Sequence, residues 1–342
     1  MTGDCQVKND MDIVITGSVA YDYLMSFPGY FREHILPEHL EKISLSFLVD
    51  SMVRQRGGTA PNIAYTLALF GQRPRLLAAV GEDFEEYRRW LECKGVDTRG
   101  ARIIPGVFTA SFFANTDRSN AQIASFYPGA MGYAHQLSLK ELDGGVPDLV
   151  VISPNDPLAM VRYVVECQEM GLLYLYDPSQ QIVRLTPEEL KNGIQGALAL
   201  FVNDYEFALI EKMTGMDIAQ VLQLVRFVAV TRGEHGSSVY VTDREFNIPS
   251  IRPERIADPT GVGDAFRAGF LTAYSHGLDW ETCGRVGALA ATYCLEQPGS
   301  QGHVFTPAEF VARYREHFDD QNRLDVLLQG GENQPRAEIP SR

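Results

Sequence analysis

Six short and almost unbroken apolar runs recur along this chain: DIVITG (12–17), RLLAAVG (75–81), DLVVIS (148–153), LLYLYD (172–177), LALFVN (198–203) and FVAVTRG (227–233). A strand that is apolar at nearly every position has no face to give to water, so it must be covered on both sides. Helical stretches separate most of the runs and supply that cover. NIAYTLALFG (62–71) reads as a helix closed by glycine, and FEEYRRWLECKG (84–95) as an amphipathic one. Strands alternating with helices predict an α/β fold on a mostly parallel central sheet. The length, 342 residues, suits one large domain with a small appendage. The polar segments 1–10 and 329–342 read as flexible extensions, which leaves 11–328 as the folded domain.

Two regions break the rhythm. In VFTASFFANT (107–116), Phe108, Ala110, Phe112 and Ala114 alternate with Thr109, Ser111, Phe113 and Asn115, and AQIASFY (121–127) follows after the turn TDRSN. That period of two belongs to a half-buried antiparallel hairpin. The other region is 23–56, with KISLSF (42–47) at its middle. Strands of this kind outside the main sheet predict a small lid built from segments within 23–56 and 107–127. A lid hairpin leaves an open edge, and open edges invite pairing.

The charge balance, 44 acidic against 30 basic residues and a net −14, argues against nucleic acid as a main partner. A small phosphorylated ligand needs only a local positive field and stays open. No apolar run approaches the roughly 18 residues that span a bilayer, so no membrane association is expected. No signal-peptide pattern opens the chain. The five cysteines form no CxxC pair, which points to a reducing, cytoplasmic setting. Seven histidines without HExxH or HxH spacing give no dedicated zinc site.

In an open parallel sheet, ligands bind beyond the carboxyl ends of the strands. Polar clusters stand at four of those ends: SVAYD (18–22), DPSQQ (177–181), NDYE (203–206) and TRGEHG (231–236). A fifth feature, DPTGVGDAFRAGF (258–270), puts an acid directly behind a Gly-Val-Gly turn. The chain has no GxxxxGK[ST] and this turn is not GxGxxG, so neither a P-loop nor a dinucleotide fingerprint is present. Gly261 and Gly263 permit a tight turn, and the N–H groups of the helix that follows can hold a charged phosphoryl group. Asp264 beside them can take a proton from an attacking hydroxyl. The plain alternative is an acid placed in a first helical turn for dipole reasons.

DPTGVGDAFRAGF resembles the C-terminal signature of the ribokinase-like (PfkB) family of sugar and nucleoside kinases. RGGTAPNIAYTLALFG (56–71) resembles that family's N-terminal signature, NDYE its N-x-x-E element and TRGEHG its T-x-G-x-x-G nucleotide loop. The matches follow the family's order, and FPGYF, LPEHLEKISLSFLVD, AQIASFYPGAM and DPSQQ look like bacterial adenosine kinases of the actinobacterial type. The resemblance implies a ribokinase-like three-layer αβα domain with a β-strand lid, and transfer of the ATP γ-phosphoryl group to adenosine. It implies Asp264 as base and the amides of Gly261, Val262 and Gly263 as anion hole. Asp22 would hold two ribose hydroxyls, helped by Ser18, Gly58 and Asn62. Phe112 and Phe126 would sandwich the purine, or serve only as lid packing. Gln180 and Gln181 would contact the nucleoside, unless one of them caps the next segment. Asn203 and Glu206 would order Mg2+ and the ATP phosphates, holding the metal through water. Thr231, Gly233 and Gly236 would line the ATP path, although a plain turn also accounts for them. Asp258 reads as structural, in a segment that family members sometimes use near a monovalent cation such as K+. Related kinases often pair their lids, so a homodimer through the lid strands is expected.

Other readings stay open. Arg267, one helical turn after Gly263, either faces the phosphates or pairs with a surface acid. EQPGSQGHVF (296–305) is expected near the ATP base, with no role for Pro298 or His303. Another nucleoside or sugar kinase of the family is the alternative function, and a catalytically silent nucleoside-binding protein on the same fold is a third.

Overall fold

The computed structural model describes residues 11–35, 41 and 44–328. The two terminal extensions and part of KISLSF therefore lie outside the described residues. The strands in chain order are β1 (Ile13–Thr16), β2 (Ala20–Ser26), β3 (Ser51–Gly57), β4 (Arg75–Val80), β5 (Ala101–Ile103), β6 (Ala110–Thr116), β7 (Gln122–Tyr127), β8 (Leu149–Ile152), β9 (Tyr174–Tyr176), β10 (Ala199–Asn203), β11 (Phe227–Thr231), β12 (Ser237–Val241) and β13 (Arg244–Ile248). The helices are α1 (Thr59–Leu69), α2 (Glu85–Cys93), α3 (Pro157–Met170), α4 (Pro187–Ile194), α5 (Asp204–Thr214), α6 (Ile218–Val221), α7 (Val262–Ser275), α8 (Trp280–Leu295) and α9 (Pro307–His317).

Nine strands form the main sheet in the order β13-β12-β11-β10-β9-β8-β1-β4-β5. From β11 to β5 neighbouring strands are parallel, and the β12–β13 hairpin adds an antiparallel edge. Adjacent residues of one strand feed opposite cores. Ile13 and Ile15 pack with α1, α2, α7, α8 and α9, while Val14 packs with α3, α4, α5 and α6. This is the three-layer αβα architecture, and it is why the strands read as continuous apolar runs.

The second sheet has four strands in the order β3-β2-β6-β7. The β6–β7 hairpin pairs antiparallel as its alternation predicts, with Phe112 opposite Phe126. The region 23–56 behaves differently from the expectation centred on KISLSF. Residues 44–49 carry no regular structure, and the strand is SMVRQRG at 51–57. Likewise SVAYD is not a loop after β1, because Ala20 to Asp22 already belong to the lid strand β2.

The helix that presents the glycine-rich turn is held firmly. Phe270 of α7 lies edge-on to Phe201 of β10 (5.1 Å between centroids) and stacks on Phe227 of β11 (5.2 Å). Burial of a side chain of this size stabilises by about 1.5–3 kcal/mol, so α7 is fixed against the strands whose ends line the cleft.

Candidate active site

Most helix starts in this fold are closed by a side chain, Asp156, Thr186, Asn203, Asp217, Asp279 or Thr306, that accepts from the first turn. Two starts that meet at the cleft differ. The N-cap of α1 is Gly58 (φ 98°) and that of α7 is Gly261 (φ 80°), and neither has a side-chain cap. Both backbone angles lie in the region that favours glycine. A Cβ on Gly58 would sit 2.4 Å from the Ser18 carbonyl, and one on Gly261 would sit 2.5 Å from Ser300 Cβ. No side chain closes the first turn of α7, where Val262 N donates at 3.4 Å to the Pro259 carbonyl, and uncapped helix starts of this kind suit an anion.

Asp264 stands in that first turn and is buried. Its Oδ2 accepts from Asn62 Nδ2 at 2.8 Å, so α1 and α7 meet at the carboxylate. Burial raises the Asp264 pKa to about 6, with Glu206 adding to the rise, while the Arg267 charge and the Asn62 hydrogen bond pull it down. Asn62 lies against this proposed base, and its Oδ1 accepts from Ser300 Oγ (2.9 Å) and Gln301 Nε2 (2.7 Å). The Ser18 hydroxyl accepts from Thr59 N (3.2 Å) and steadies the start of α1.

Asp22 occupies β2, in register with Gln55 of β3 and Phe112 of β6, and Phe112 is in register with Phe126 of β7. Residues in register share a sheet face, so Gln55, Asp22, Phe112 and Phe126 form one row. The row lies beside the segment that carries Asp258 and Gly299. Gln55 Oε1 would lie 3.1 Å from a Cβ on Gly299, and Asp22 Oδ2 would lie 2.6 Å from one on Gly57. Burial and then the neighbouring Asp258 charge raise Asp22 to about 6. Phe126 is half exposed along an edge strand.

Asn203 and Glu206 form a reciprocal capping box at the start of α5. Glu206 N donates to Asn203 Oδ1 (2.7 Å) and Asn203 N to Glu206 Oε2 (2.8 Å). Glu206 is buried, and its Oε1 accepts from Ser179 Oγ (2.8 Å), so each carboxylate oxygen accepts one hydrogen bond from the protein and keeps a further lone pair. Thr231 is in register with Asn203 at the adjacent strand end. Gly233 and Gly236 follow with positive φ, and the chain at Gly236 lies so close to β13 that a Cβ would meet the Ile248 carbonyl at 2.1 Å. Packing against β13 thus already demands one of those glycines. Gln180 is exposed after β9, and Gln181 accepts weakly from Arg184 within the same turn (3.4 Å). Neither is drawn to Asp264 by a hydrogen bond.

Three features go beyond the sequence expectations. Arg267 does not reach a surface acid. Its Nη2 donates to the fully buried Asp177 Oδ1 at 2.7 Å, its Nε lies 2.6 Å from Oδ2, and its Nη1 lies 2.7 Å from where a Cβ on Gly263 would be. A buried positive charge therefore sits beneath the glycine turn. Asp177, from DPSQQ, was passed over in favour of the glutamines, although its place at a strand end was the signal. The loop 296–305, expected near the ATP base, packs against the glycine turn, and Gly299 N and Thr260 N both donate to Asp258 (3.0 and 2.9 Å). His303 in that loop is fully buried behind α1, with Nε2 3.0 Å from Thr66 Oγ1, and burial lowers it to about 4.

The pfkB family of carbohydrate kinases matches residues 18–306. The chain belongs to that family, and the protein is a kinase. It is 30% identical over 310 residues to a nucleoside kinase of Methanocaldococcus jannaschii, covering 89% of this chain and 97% of that one. The structure of a Burkholderia thailandensis nucleoside kinase in complex with inosine superposes with a TM-score of 0.80 at 36% identity, covering 90% of this chain and 98% of the other. The same Burkholderia enzyme in complex with ADP-inosine gives 0.78 at 37% identity, with 90% and 96% covered. These relatives are named for nucleosides in general, so the narrower adenosine kinase resemblance is not what they carry.

Proposed function

We propose that this kinase transfers the γ-phosphoryl group of ATP to the 5′-hydroxyl of a purine nucleoside, with adenosine as the acceptor it handles best. The observation that carries the reading is the row of Asp22, Phe112 and Phe126 on one lid face, beside a turn that carries Asp264. A carboxylate accepts from both hydroxyls of a vicinal diol, and aromatic faces stack on a planar base. The row thus offers a ribose contact next to base contacts, which a free sugar would leave idle. Asp264 removes the hydroxyl proton, and the amides of residues 261–263 receive the charge on the phosphoryl group.

Among the described residues no cluster of three or more His, Cys, Asp or Glu has the makings of a metal site. Mg2+ binds one or two carboxylates and otherwise takes substrate phosphates and water. Glu206, with lone pairs to spare, would hold it through water, and the ion would neutralise phosphate charge.

The expected result is phosphorylation of adenosine with Mg-ATP at a kcat/KM well above that for ribose or fructose. In the same assay Phe112→Ala weakens nucleoside binding by about 1–3 kcal/mol, the scale of one base–aromatic stack, and leaves ATP binding intact. Equal kcat/KM for a simple sugar and adenosine would overturn the nucleoside reading. A panel including inosine and cytidine decides between adenosine and broader acceptance.

The exposed edges of β3 and β7 carry the apolar side chains Met52, Val53, Ile123 and Tyr127. They support a homodimer paired through lid strands. Sedimentation at micromolar protein should give twice the chain mass; a monomer alone counts against the pairing.

A further inference from the structure

A carboxamide beside a catalytic carboxylate has two ends with opposite effects. Its NH2 donates to the carboxylate, whereas its carbonyl would repel it. Asn62 cannot select its own orientation, so its neighbours must. Ser300 is a weak selector. It has one hydroxyl proton, and its Oγ lies 2.9 Å from Asn62 Oδ1 and 3.2 Å from the Arg56 carbonyl, both acceptors. It serves one of them at a time.

Gln301 has two N–H groups, and both are used. Nε2 donates to Asn62 Oδ1 at 2.7 Å and to the Tyr87 hydroxyl, whose own O–H donates to the Gly57 carbonyl at 3.1 Å. The ends of this chain, the Gly57 carbonyl and the Asp264 carboxylate, can only accept. Their fixed character sets the direction of every hydrogen bond between them. Gln301 is buried, and its Oε1 has no partner. A dry, unpaired amide oxygen is destabilising, so packing alone does not account for a glutamine here.

We infer that Gln301 is a positioning residue for phosphoryl transfer: anchored through Tyr87 to the root of lid strand β3, it holds the amide donor of Asn62 on the carboxylate of Asp264. The inference rests on the kinase reading above. The groups acting on Asp264 from the packed elements are Arg267 on α7, Glu206 on α5, Asp177 after β9 and Cys294 on α8. None of them is altered by changes at Gln301. Loss of the Asn62 donation removes an influence that favours the ionised base, so the base then loses its proton only at higher pH.

The test is Gln301→Met, which keeps length and apolar fit but donates nothing, beside Tyr87→Phe, which removes the anchor. Gln301→Met is expected to lower kcat about tenfold and to move the acidic limb of the kcat–pH profile up by about one unit, with KM for ATP unchanged. Tyr87→Phe should move the limb in the same direction by less. A merely structural residue would lower the melting temperature and leave the limb in place. If Gln301→Met does not fold, Tyr87→Phe decides. Active wild type with an unmoved limb in the folded variants overturns this inference alone. Wild type that phosphorylates no nucleoside overturns the kinase reading and this inference together.

Discussion

Asp264→Asn should lower kcat by about 10²–10⁴, the usual worth of a positioned base, while nucleoside affinity changes little. The substitution keeps the side chain's shape and leaves the glycine turn and Arg267 in place, but the amide cannot take the hydroxyl proton. Remaining activity would come from the amides and the metal, which stabilise the phosphoryl charge. The pH profile gives the same result a second signature. Under the proposed reading Asp264 works as the carboxylate, and burial has raised it to about 6. Wild-type kcat should therefore fall as pH drops through that region and recover above it, and the Asn variant should lack this limb. Asp258→Asn is the control. Among the described residues Asp258 accepts from the backbone N–H groups of Thr260 and Gly299, so its loss loosens a turn without removing the proposed base. A well-folded Asp264→Asn enzyme at near wild-type rate would put the base elsewhere.

Arg267→Met should destabilise the protein by about 3–5 kcal/mol, because it leaves a buried carboxylate without its counter-charge. Asp177 has no solvent to turn to. Burial already raises it to about 7 against the pull of Arg267, with Glu206 and Asp264 adding to the rise. Equilibrium denaturation reads the loss as a lower midpoint. In Arg267→Met/Asp177→Leu both charges go, and apolar replacement of a whole buried pair is often neutral. The double variant should regain most of the stability. It should not regain full turnover, since the positive charge beneath Gly263 is gone. A single variant within 1 kcal/mol of wild type would mean that the pair is not closed to water as its burial indicates.

The parts of this fold that were legible from sequence are those buried on two faces. Ile13, Val14 and Ile15 leave an unbroken apolar signal because each has a core to enter. The lid offers no such signal. In β3, SMVRQRG sets the Arg54 and Arg56 guanidinium groups over the Tyr21 and Trp90 rings, and its charged positions leave no apolar run to mark a strand. In β2, AYDYLMS places an acid in mid-strand, so Asp22 showed in the sequence only as part of the polar cluster SVAYD after β1. The glycine turn and Asp264 were legible because their neighbours in sequence are also their neighbours in space. Asp177 was visible only as one strand-end acid among several, and its burial against Arg267, 90 residues away in the chain, was not. The same holds for Gln301, whose contacts Asn62 and Tyr87 lie 239 and 214 residues away. Hydrogen-bond partners at such separations have no spacing to read.

The lid strand β2 is fastened from behind. Tyr21 is buried against Tyr87 and donates to the Asp83 carbonyl, while Asp22, the next residue, faces the cleft. Phe126, in the same row, rides on β7, whose six residues are all exposed. Under the proposed reading, the sugar meets a wall that is bolted down and the base meets one that can yield. Such a pocket would be exacting about ribose and lenient about the ring attached to it, so the breadth of acceptors would be governed by the compliance of one edge strand rather than by any single hydrogen bond to the base.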